Sequence, residues 1–500
     1  MASAAADAQS ADDPLKAALA AAARGEQASA IELLQGLVTA DAQHAQAHNE
    51  LGVIHYQNGD KAQAQRCFET ATAIDPRYAR AHTNLGSCHN DAGRNQDAIR
   101  CHEIAVELNP RLADAWNNLG KVWNELREFE SSAYCYKRAL TLGRNLRSLR
   151  GLAMAYRHAG RYVRAKRLLQ EAIALDPDDV IAHFGLAPLH FYLEEYPQAV
   201  AEYEWRWRQP AMIEHQQHHA PLFAVPAYQG EDLRGKTLLL HTEQGFGDNL
   251  LFARFIQKVR PRVGRLVMWC WPGLVDLFRD NFPLDQVTGS LSDLPECDFQ
   301  LPLLSIPRYF DPSLTTIRQF EPYLHARHNR DALPPSTESF LDVGLVWSCD
   351  DKGFDYSYKK LPLQLLAPLF DLPGIRWHSL QVGPDRAELE QAGVSGKMTD
   401  LGKNLTSFAA TAEIVQQLDL VISVDTAVAH LAAAMGKPVW VALKKDPDWR
   451  WHAPDGRPLW YPQATPYIQV SRGDWTGVIN RMRRDLLELV AARKGHEGTS

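Results

Sequence analysis

The sequence lacks several features that would place it in a simple class of protein. Its 500 residues hold only seven cysteines, at irregular spacing and with no Cys-x-x-Cys pair. This argues against zinc sites and disulfides and is typical of a reducing compartment. No apolar run reaches the ~18–20 residues that span a bilayer. The Ala-rich start, residues 1–13, lacks the basic and apolar stretches of a secretory signal. We therefore expect a disordered leader, no integral membrane segment and a cytoplasmic location.

Common nucleotide and metal signatures are also missing. Neither Gly-x-Gly-x-x-Gly nor a Walker sequence occurs, which argues against a dehydrogenase or an ATPase. A net charge of −7 over this length argues against nucleic acid as a partner. Asp446-Pro447-Asp448 has carboxylate spacing, but no third ligand follows and tryptophans flank it, so we interpret it as a structural loop. We expect no metal and no other cofactor. The length predicts two to four domains.

The first half of the chain repeats a pattern with a period of 34 residues. The repeated positions are the Leu-Gly pairs 51–52, 85–86 and 119–120, the glycines at 59 and 93, and the Asp-Pro or Asn-Pro pairs 75–76 and 109–110. Proline cannot continue a helix, so these pairs close helix-turn-helix units. We predict about six units over 14–208. The pattern resembles the tetratricopeptide repeat, whose stacked helix pairs form a superhelix with a groove for a peptide or protein.

The charge of the repeats is uneven, because the third and fourth units are basic and have few acids. Their cations are Arg111, Lys121, Arg127, Lys137, Arg138, Arg144, Arg147, Arg150, Arg157, Arg161, Arg164, Lys166 and Arg167. Two interpretations stay open: a solvated face, or a surface that steers an acidic partner. Asparagines 84, 117 and 118 fall on first helices, where such side chains either clamp a peptide backbone or bond a neighbouring helix.

The second half alternates short apolar runs with helical stretches, which predicts parallel sheets with helices on both faces. Strands are predicted at 237–241, 265–270, 299–301, 343–347, 375–381, 420–423, 439–443 and 467–470. Helices are predicted at 249–259, 273–281, 363–370, 407–418, 427–435 and 475–493. A polar break at 325–338 divides this half into two doubly wound lobes with a cleft between them.

The predicted domains follow from these changes of pattern. They are the leader 1–13, the repeat array 14–208, a linker 209–235, a first lobe 236–335, a second lobe 336–473, and a C-terminal helix and tail 474–500. The aromatic run at 203–207 is expected to end the array in a closing helix docked on the next domain. The last helix is expected to cross back to the first lobe.

Two strand-to-helix loops are the strongest candidates for a site. The first follows the strand at 237–241, where Gly245 and Gly247 allow close backbone approach and Asp248 stands at the helix start. The second follows the strand at 420–423, where the amides of Thr426 and Ala427 would attract a phosphate. Ligands bind outside the carboxyl ends of such strands. The alternatives are that Asp248 only caps its helix and that His430, one turn into the second helix, is a core histidine.

A third candidate is the loop 348–360, which follows the strand at 343–347. It carries Lys352, Lys359 and Lys360, and a lysine there would neutralise a diphosphate. The more common interpretation of such a sequence is a pair of exposed, solvated lysines. Asp350-Asp351 in the same loop is interpreted as structural.

Several motifs together resemble glycosyltransferase family 9, the heptosyltransferase-like enzymes, and bacterial proteins that fuse tetratricopeptide repeats to such a domain. The segments that carry the resemblance are 244–248 (Gln-Gly-Phe-Gly-Asp), 424–430 (Val-Asp-Thr-Ala-Val-Ala-His), 436–439 (Gly-Lys-Pro-Val), 203–207, Trp347, 379–381 and 448–451. The resemblance implies a GT-B fold and inverting, metal-independent transfer of a sugar from a nucleotide-sugar donor.

The resemblance also implies roles for particular residues. Asp248 corresponds to the general base and belongs to an acceptor-side loop with Glu243, Gln244, Gly245 and Gly247. The donor side would be formed by Ser348, Lys359 or Lys360, Gln381, Asp425, Thr426, Ala427 and His430. The loop 348–360 departs from the pattern of the fused relatives, so the choice between the two lysines and the identity of the donor stay open.

Three functions follow from this organisation. The first is a glycosyltransferase whose repeats present the acceptor, a surface or flagellar protein. The second is a transferase for lipopolysaccharide or another glycan, in which the repeats serve assembly. The third is a repeat scaffold without catalysis. The nucleotide sugar and the acceptor protein or peptide are the expected partners, and a homo-oligomer stays open.

Overall fold

The computed structural model describes residues 13–327, 333, 340–349, 356–394 and 396–497. It divides into two compact units, Met1–Leu189 and His190–Ser500, which we describe separately. The division precedes residue 208, where we place the end of the repeat array, and the domain limits stay predictions. Of the predicted leader, the described residues include only Asp13, which accepts a hydrogen bond from the Leu15 amide and caps the first helix.

The first unit consists of antiparallel helix pairs, as the 34-residue period predicts. Its helices are α1 (Pro14–Ala23), α2 (Gln27–Ala40), α3 (Ala45–Gln57), α4 (Lys61–Ile74), α5 (Ala79–Asp91), α6 (Asn95–Leu108), α7 (Ala113–Glu125), α8 (Phe129–Leu142), α9 (Leu146–His158), α10 (Tyr162–Leu175) and α11 (Val180–Tyr192). The helix α11 runs across the division between the units.

The repeated Leu-Gly pairs have a packing function. An added Cβ at Gly52 would lie 2.5 Å from the Phe68 ring, and one at Gly86 would lie 2.6 Å from the His102 ring. The glycine therefore lets a ring from the second helix of the pair press against the backbone of the first. The helix pairs bury their apolar faces against their neighbours, and the buried residues form a series of clusters along the array.

The turns between helices also follow the repeated residues. Gly59 and Gly93 have φ of +83° and +72°, which is the left-handed region that glycine adopts without steric cost. Arg127 stands one period later and adopts φ +61° in their place. At the end of a unit, the Asp75 carboxylate accepts a hydrogen bond from the Arg77 amide at 2.9 Å. The Asp-Pro pairs are therefore built as Asx turns that end the second helix.

The second unit begins with helical segments in the stretch that we interpret as a closing helix and a linker. They are α12 (Tyr196–Glu202), a 3₁₀ helix (Tyr203–Arg208), α13 (Pro210–His218) and α14 (Ala220–Phe223). Leu222 is fully buried and packs with Leu239 and Val267 of the first sheet. The segment 209–235 is thus partly helical and packed against the first sheet. Its polar composition did not predict this packing, because a few apolar residues are enough to anchor the segment.

Two parallel sheets form the rest of the second unit and confirm the α/β prediction. The strands are β1 (Thr237–His241), β2 (Arg265–Trp269), β3 (Gln286–Thr288), β4 (Phe299–Pro302), β5 (Leu341–Val346), β6 (Ile375–Ser379), β7 (Met398–Asp400), β8 (Leu420–Val424), β9 (Val439–Leu443) and β10 (Ala464–Ile468). The orders are β3-β2-β1-β4 and β10-β9-β8-β5-β6-β7. The sequence predicts eight of these strands and misses β3 and β7, which have three residues each.

Helices flank both sheets. They are α15 (Phe246–Phe252), α16 (Ile256–Val259), α17 (Val275–Asn281), α18 (Ile306–Phe310), α19 (Thr315–Arg318), α20 (Tyr356–Lys359), α21 (Ala367–Phe370), α22 (Glu388–Gln391), α23 (Phe408–Gln417), α24 (Ala427–Ala434) and α25 (Thr476–Glu497). Within the described part of the chain, no helix has the length and apolar character needed to cross a membrane.

The last helix does not cross back as predicted. Val478, Met482 and Leu486 of α25 are fully buried in one core with Val343 and Leu363, which belong to the second sheet and its helices. The prediction that the last helix packs on the first lobe was wrong. An amphipathic helix can pack against any sheet or helix that presents an uncovered apolar surface. The helical period of the sequence does not say which sheet provides that surface.

Each sheet has a point where successive strands leave on opposite sides. In the first sheet, β1 lies between β2 and β4; in the second, β5 lies between β6 and β8. At such points the loops after neighbouring strands diverge and open a crevice. Asp248 follows β1, Ser348 follows β5, and Asp425 follows β8. The topology thus puts all three predicted loops at the positions where α/β proteins bind ligands.

Candidate functional site

The loop after β1 is held in shape by the side chain of Asn249. Its amide nitrogen donates to the carbonyl of Glu243 at 2.6 Å and to that of Gly245 at 2.8 Å. The N-cap of α15 is Gly245, and no side chain caps the helix. The alternative in which Asp248 serves as the N-cap is therefore wrong. Asp248 lies in the first turn, partly exposed, and its carboxylate is directed to a partner outside its own helix.

The loop after β8 holds a second carboxylate. Asp425 accepts hydrogen bonds from Lys359 Nζ and from Trp451 Nε1, both at 2.7 Å. Burial favours the neutral carboxyl, but the Lys359 ammonium outweighs it and holds the pKa of Asp425 well below its usual range. Thr426 caps α24, since its hydroxyl accepts from the Ala429 amide at 3.5 Å. The turn thus contains a fixed negative charge beside the positive end of a helix dipole.

The two loops meet. An added Cβ at Gly247 would lie 2.8 Å from the His430 ring and 3.7 Å from the Cα of Ala427. The helices α15 and α24 therefore approach each other through their first turns, and glycine makes the approach possible. Gly245 is exposed, while residues 425–428 are half-buried. The prediction that Asp248 lies opposite the turn at 425–427 agrees with this geometry.

Arg450 provides a charged connection between the loops. One guanidinium nitrogen pairs with Asp248 Oδ1, and the other lies 2.6 Å from Asp448 Oδ1. Burial opposes the charge on Arg450, but the two carboxylates outweigh it and raise its pKa well above the usual value. Burial also works against ionised Asp448, yet the Arg450 guanidinium lowers the pKa of that carboxyl. The cation thus stays charged between two carboxylates.

Sequence reasoning gave Asp448 and Arg450 no role in the site, although 448–451 is one of the segments that carry the family resemblance. We interpret Asp446-Pro447-Asp448 as a structural loop, and Asp446 fits that interpretation, since it lies 3.8 Å from Lys444 and 3.9 Å from Arg472. Asp448 does not fit it, because the structure brings it to the site through Arg450. The available signal was the run of charged and aromatic residues at 448–451, which begins five residues after the end of the buried strand β9.

His430 is almost fully buried, as the core-histidine alternative expects, but it is also part of the site. Its ring centroid lies 4.7 Å from that of Trp451, and Nδ1 lies 3.3 Å from the Tyr461 hydroxyl. Burial lowers the pKa of His430 to about 4, so the imidazole is neutral at pH 7. The His430 ring forms part of the wall of the site and places a neutral hydrogen-bonding group next to Asp425, whose Oδ1 lies 3.8 Å from Nε2.

The two predicted lysines occupy different surroundings. Lys359 pairs with Asp425 in the turn after β8, whereas Lys360 lies 2.8 Å from Asp385 Oδ1 and also pairs with Glu388. Burial disfavours the charged amine of Lys360, but those two carboxylates raise its pKa above the usual value. Only Lys359 therefore reaches the predicted phosphate-binding turn. Lys352, Asp350 and Asp351 lie outside the described residues.

Ser348 and Gln381 form part of the same group as Lys360. The Gln381 side-chain oxygen accepts from the amides of Trp347 and Ser348 at 3.2 and 3.0 Å, and the Ser348 hydroxyl donates to Asp385. They tie the ends of β5 and β6 together. Close by in the chain, a cavity of about 380 Å³ is lined by Gly383, Pro384, Arg386, Ala387, Leu389, Glu390, Met398 and Asp400.

Glu243, predicted for the acceptor side, has a structural function instead. It is fully buried, and Arg206 donates to its two carboxylate oxygens at 2.8 and 2.5 Å. Burial raises the pKa of Glu243, and the Arg206 guanidinium opposes that shift. Gln244 accepts a hydrogen bond from the Tyr203 hydroxyl at 3.0 Å. Gly245 is the exposed residue among these predicted loop residues, while Gln244, Gly247 and Asp248 are half-buried.

The described residues contain no group of three or more His, Cys, Asp or Glu side chains arranged to hold a metal ion. Beside the buried pair of Glu243 and Arg206, the charges at the two loops include the carboxylates of Asp248, Asp425 and Asp448 and the cations of Lys359 and Arg450.

Gly247→Ala is expected to lower the free energy of unfolding by about 1–3 kcal/mol, because the new methyl group would fall 2.8 Å from His430. Gly245→Ala is the matched control, since its Cβ would meet only Asp248 Oδ2 at 3.6 Å. Urea denaturation of both variants checks this. Equal stability of the two would show that α15 and α24 do not meet through Gly247.

Comparisons with known proteins agree with this organisation. Residues 45–78, 91–146 and 146–189 match tetratricopeptide-repeat families. Residues 377–443 match "Glycosyltransferase family 9 (heptosyltransferase)", a range that includes the turn at 425–427. The chain thus combines tetratricopeptide repeats with a segment that matches the family 9 glycosyltransferases.

A particular relative is Protein FlbA of Caulobacter vibrioides. It is 26% identical over 352 residues, which are 63% of this chain and 56% of that protein, so the chain spans about half the length of the curated relative that it matches. Among solved structures, MamA shows 22% identity and a TM-score of 0.29, over 31% of this chain and 91% of that one. The structure of pilF of Pseudomonas aeruginosa shows 21% identity and a TM-score of 0.37, over 41% of this chain and 95% of that one.

Proposed function

We propose that this protein transfers a sugar from a nucleotide-sugar donor to an acceptor protein that its repeats present. The observation that carries the proposal is the meeting of two loops: Asp248, at the end of one sheet, lies opposite the Asp425–Ala427 turn of the other. Both loops stand at switch points of parallel sheets, where ligands bind. The two parallel sheets are also what a GT-B fold requires.

The donor diphosphate would bind at the N-terminus of α24. The free amides and the dipole of this helix attract negative charge, and Lys359 already stands at the turn. Because Lys359 pairs with Asp425, this carboxylate and the incoming phosphate would compete for the same ammonium group. The cavity of about 380 Å³ beyond Gln381 has room for the nucleoside. The amides and Lys359 would stabilise the leaving diphosphate, so the proposed reaction needs no metal.

The transfer is a single displacement. The acceptor hydroxyl oxygen forms a bond to the anomeric carbon as the bond from that carbon to the diphosphate oxygen breaks, which inverts the configuration. The hydroxyl proton goes to Asp248, the general base. Because Arg450 occupies Oδ1 of the Asp248 carboxylate, this pair must loosen when the acceptor enters. Arg450 would then keep Asp448 as its partner.

The acceptor and the location are part of the same proposal. Tetratricopeptide repeats commonly bind peptides or proteins, which favours a protein acceptor, such as a surface or flagellar protein, modified in the cytoplasm before export. A homo-oligomer is compatible with this arrangement, because the repeats of each copy can present an acceptor to the transferase unit of the same copy.

Calorimetry with a panel of nucleotide sugars tests the proposal. We expect one donor class to bind the full-length protein with undiminished affinity in EDTA. No binding by a folded protein to any member of the panel would contradict the proposal and favour a repeat scaffold. Binding that is lost in EDTA would contradict its metal independence.

Lys359→Gln is expected to weaken binding of that donor by roughly 10–100-fold, because a charge-assisted hydrogen bond contributes about 1.5–3 kcal/mol. Lys360→Gln is the matched control, since Lys360 is held by Asp385 and Glu388. The same calorimetric titration measures both variants. A larger loss for Lys360→Gln would assign the phosphate to the other lysine.

A further inference from the structure

The repeat array carries a local excess of positive charge that its fold does not require. Residues 131–170 contain ten lysines and arginines and no aspartate or glutamate, in a chain whose net charge is −7. The remaining residues therefore have 43 basic and 60 acidic side chains. Like charges at this density repel each other in the folded protein.

The structure gathers many of these cations on the second helices of two adjacent pairs, α8 and α10. Lys137 Nζ and Arg161 Cζ each lie 5.5 Å from the centre of the Tyr156 ring, so they are no more than 11 Å apart. We call the surface formed by Lys137, Arg138, Arg164 and Arg167 the basic surface. All four side chains are exposed.

The nearby acids do not neutralise the basic surface. Glu130 pairs with Arg161 at 2.7 Å, and Glu171 pairs with Arg144. Within the described part of the chain, the four cations of the basic surface have no carboxylate partner. Arg138 instead lies over the Trp116 ring, 5.6 Å from its centre. Exposed apolar side chains stand on the same two helices, since Tyr134 is 58% and Val163 is 50% exposed.

We propose that the basic surface binds an acidic segment of the acceptor protein, an inference that rests on the proposed function. Arginine pairs with a carboxylate through two parallel hydrogen bonds, and Tyr134 and Val163 offer contacts to apolar side chains of the segment. The excess of acidic residues elsewhere in the chain disfavours a long nucleic acid or an extended anionic membrane. A short acidic peptide segment satisfies the four cations without meeting that repulsion.

A binding assay on the full-length protein tests this. The probe is a fluorescein-labelled peptide of about 20 alternating Glu and Ala residues, measured by anisotropy at low salt, where charge pairs are least screened. The Gln-Ala analogue is the control peptide. We expect the Glu peptide to bind and the Gln peptide not to bind. In a variant with Lys137, Arg138, Arg164 and Arg167 all replaced by Gln, the affinity should fall about tenfold or more.

A second variant controls for net charge. It replaces four exposed cations of other helix pairs by Gln, namely Lys16, Arg66, Arg77 and Arg80, and should retain binding. Equal affinity of the two variants for the Glu peptide, or binding of an oligo-dT or of phosphatidylserine vesicles in place of the peptide, would overturn the proposal. Calorimetry with the donor is run in parallel. Donor binding with failed peptide binding rejects only this inference, and the reverse result rejects only the transferase site.

Discussion

Asp248→Asn should reduce sugar transfer by roughly 10²–10⁴-fold, the contribution of a positioned general base. The amide has nearly the shape of the carboxylate, and its oxygen can still accept a hydrogen bond from Arg450, so the loop should keep its structure. Donor affinity should change little, because the donor side is formed by the turn at 425–427. The measurement is the initial rate of transfer with the donor found by calorimetry.

The acceptor for that assay is identified in the native host as the protein whose glycopeptides disappear when the gene is deleted. Asp276→Asn serves as the matched control, since this carboxylate is 62% exposed and pairs with Arg279 in its own helix. Undiminished transfer by Asp248→Asn would remove Asp248 from the mechanism. A loss of donor affinity equal to the loss of rate would make it a binding residue instead.

Arg450 pairs with Asp248 and holds its carboxylate in place. The pair joins residues 202 positions apart in sequence, and it fixes the carboxylate near the turn after β8. Trp449, the neighbour of Arg450, stacks on Phe191 with ring centres 4.0 Å apart, while Trp451 donates to Asp425. One short 3₁₀ helix, Trp449–Trp451, thus contacts the proposed general base, the donor turn and the segment after residue 189.

The repeats and most of the sheets can be predicted from sequence because their signals are local. A 34-residue period needs only self-similarity, and strands such as β8 and β9 are continuous apolar runs buried on both faces. The three-residue strands β3 and β7 leave no such run. The helix α13 contains few apolar residues and α14 has only four residues, so neither shows a detectable period.

The candidate site was predictable only in part, for a related reason. Asp248, Thr426 and His430 follow buried strands, and that position marks them in the sequence. Arg450 and the structural role of Glu243 depend on partners that the fold brings from far along the chain, and no spacing predicts such pairs. The choice between Lys359 and Lys360 likewise depended on which carboxylate stands nearby, and adjacent lysines are equivalent in sequence.

Arg206→Met is expected to lower the free energy of unfolding of the second unit by about 3–5 kcal/mol, because it leaves a buried carboxylate without its partner. Glu243 is fully buried, and Arg206 is 1% exposed while donating to Glu243, to Glu204 and to Ser305. Arg234→Met is the control, since the Arg234 side chain is 87% exposed. Urea denaturation, followed by tryptophan fluorescence, compares the two variants.

The same loss should depend on pH in a way that identifies its cause. Burial raises the pKa of Glu243, and without Arg206 nothing opposes that shift. A group whose folded-state pKa is raised favours the folded state at low pH and loses that contribution as the pH rises through the folded-state pKa. Arg206→Met should therefore be less destabilised at pH 5 than at pH 8, and Arg206→Met/Glu243→Gln should recover stability at pH 8. A pH-independent loss would attribute the effect to lost packing.

Arg206 must also stay in any variant that removes the repeats, since cutting after residue 207 would leave Glu243 unpaired beside the loop of Asp248.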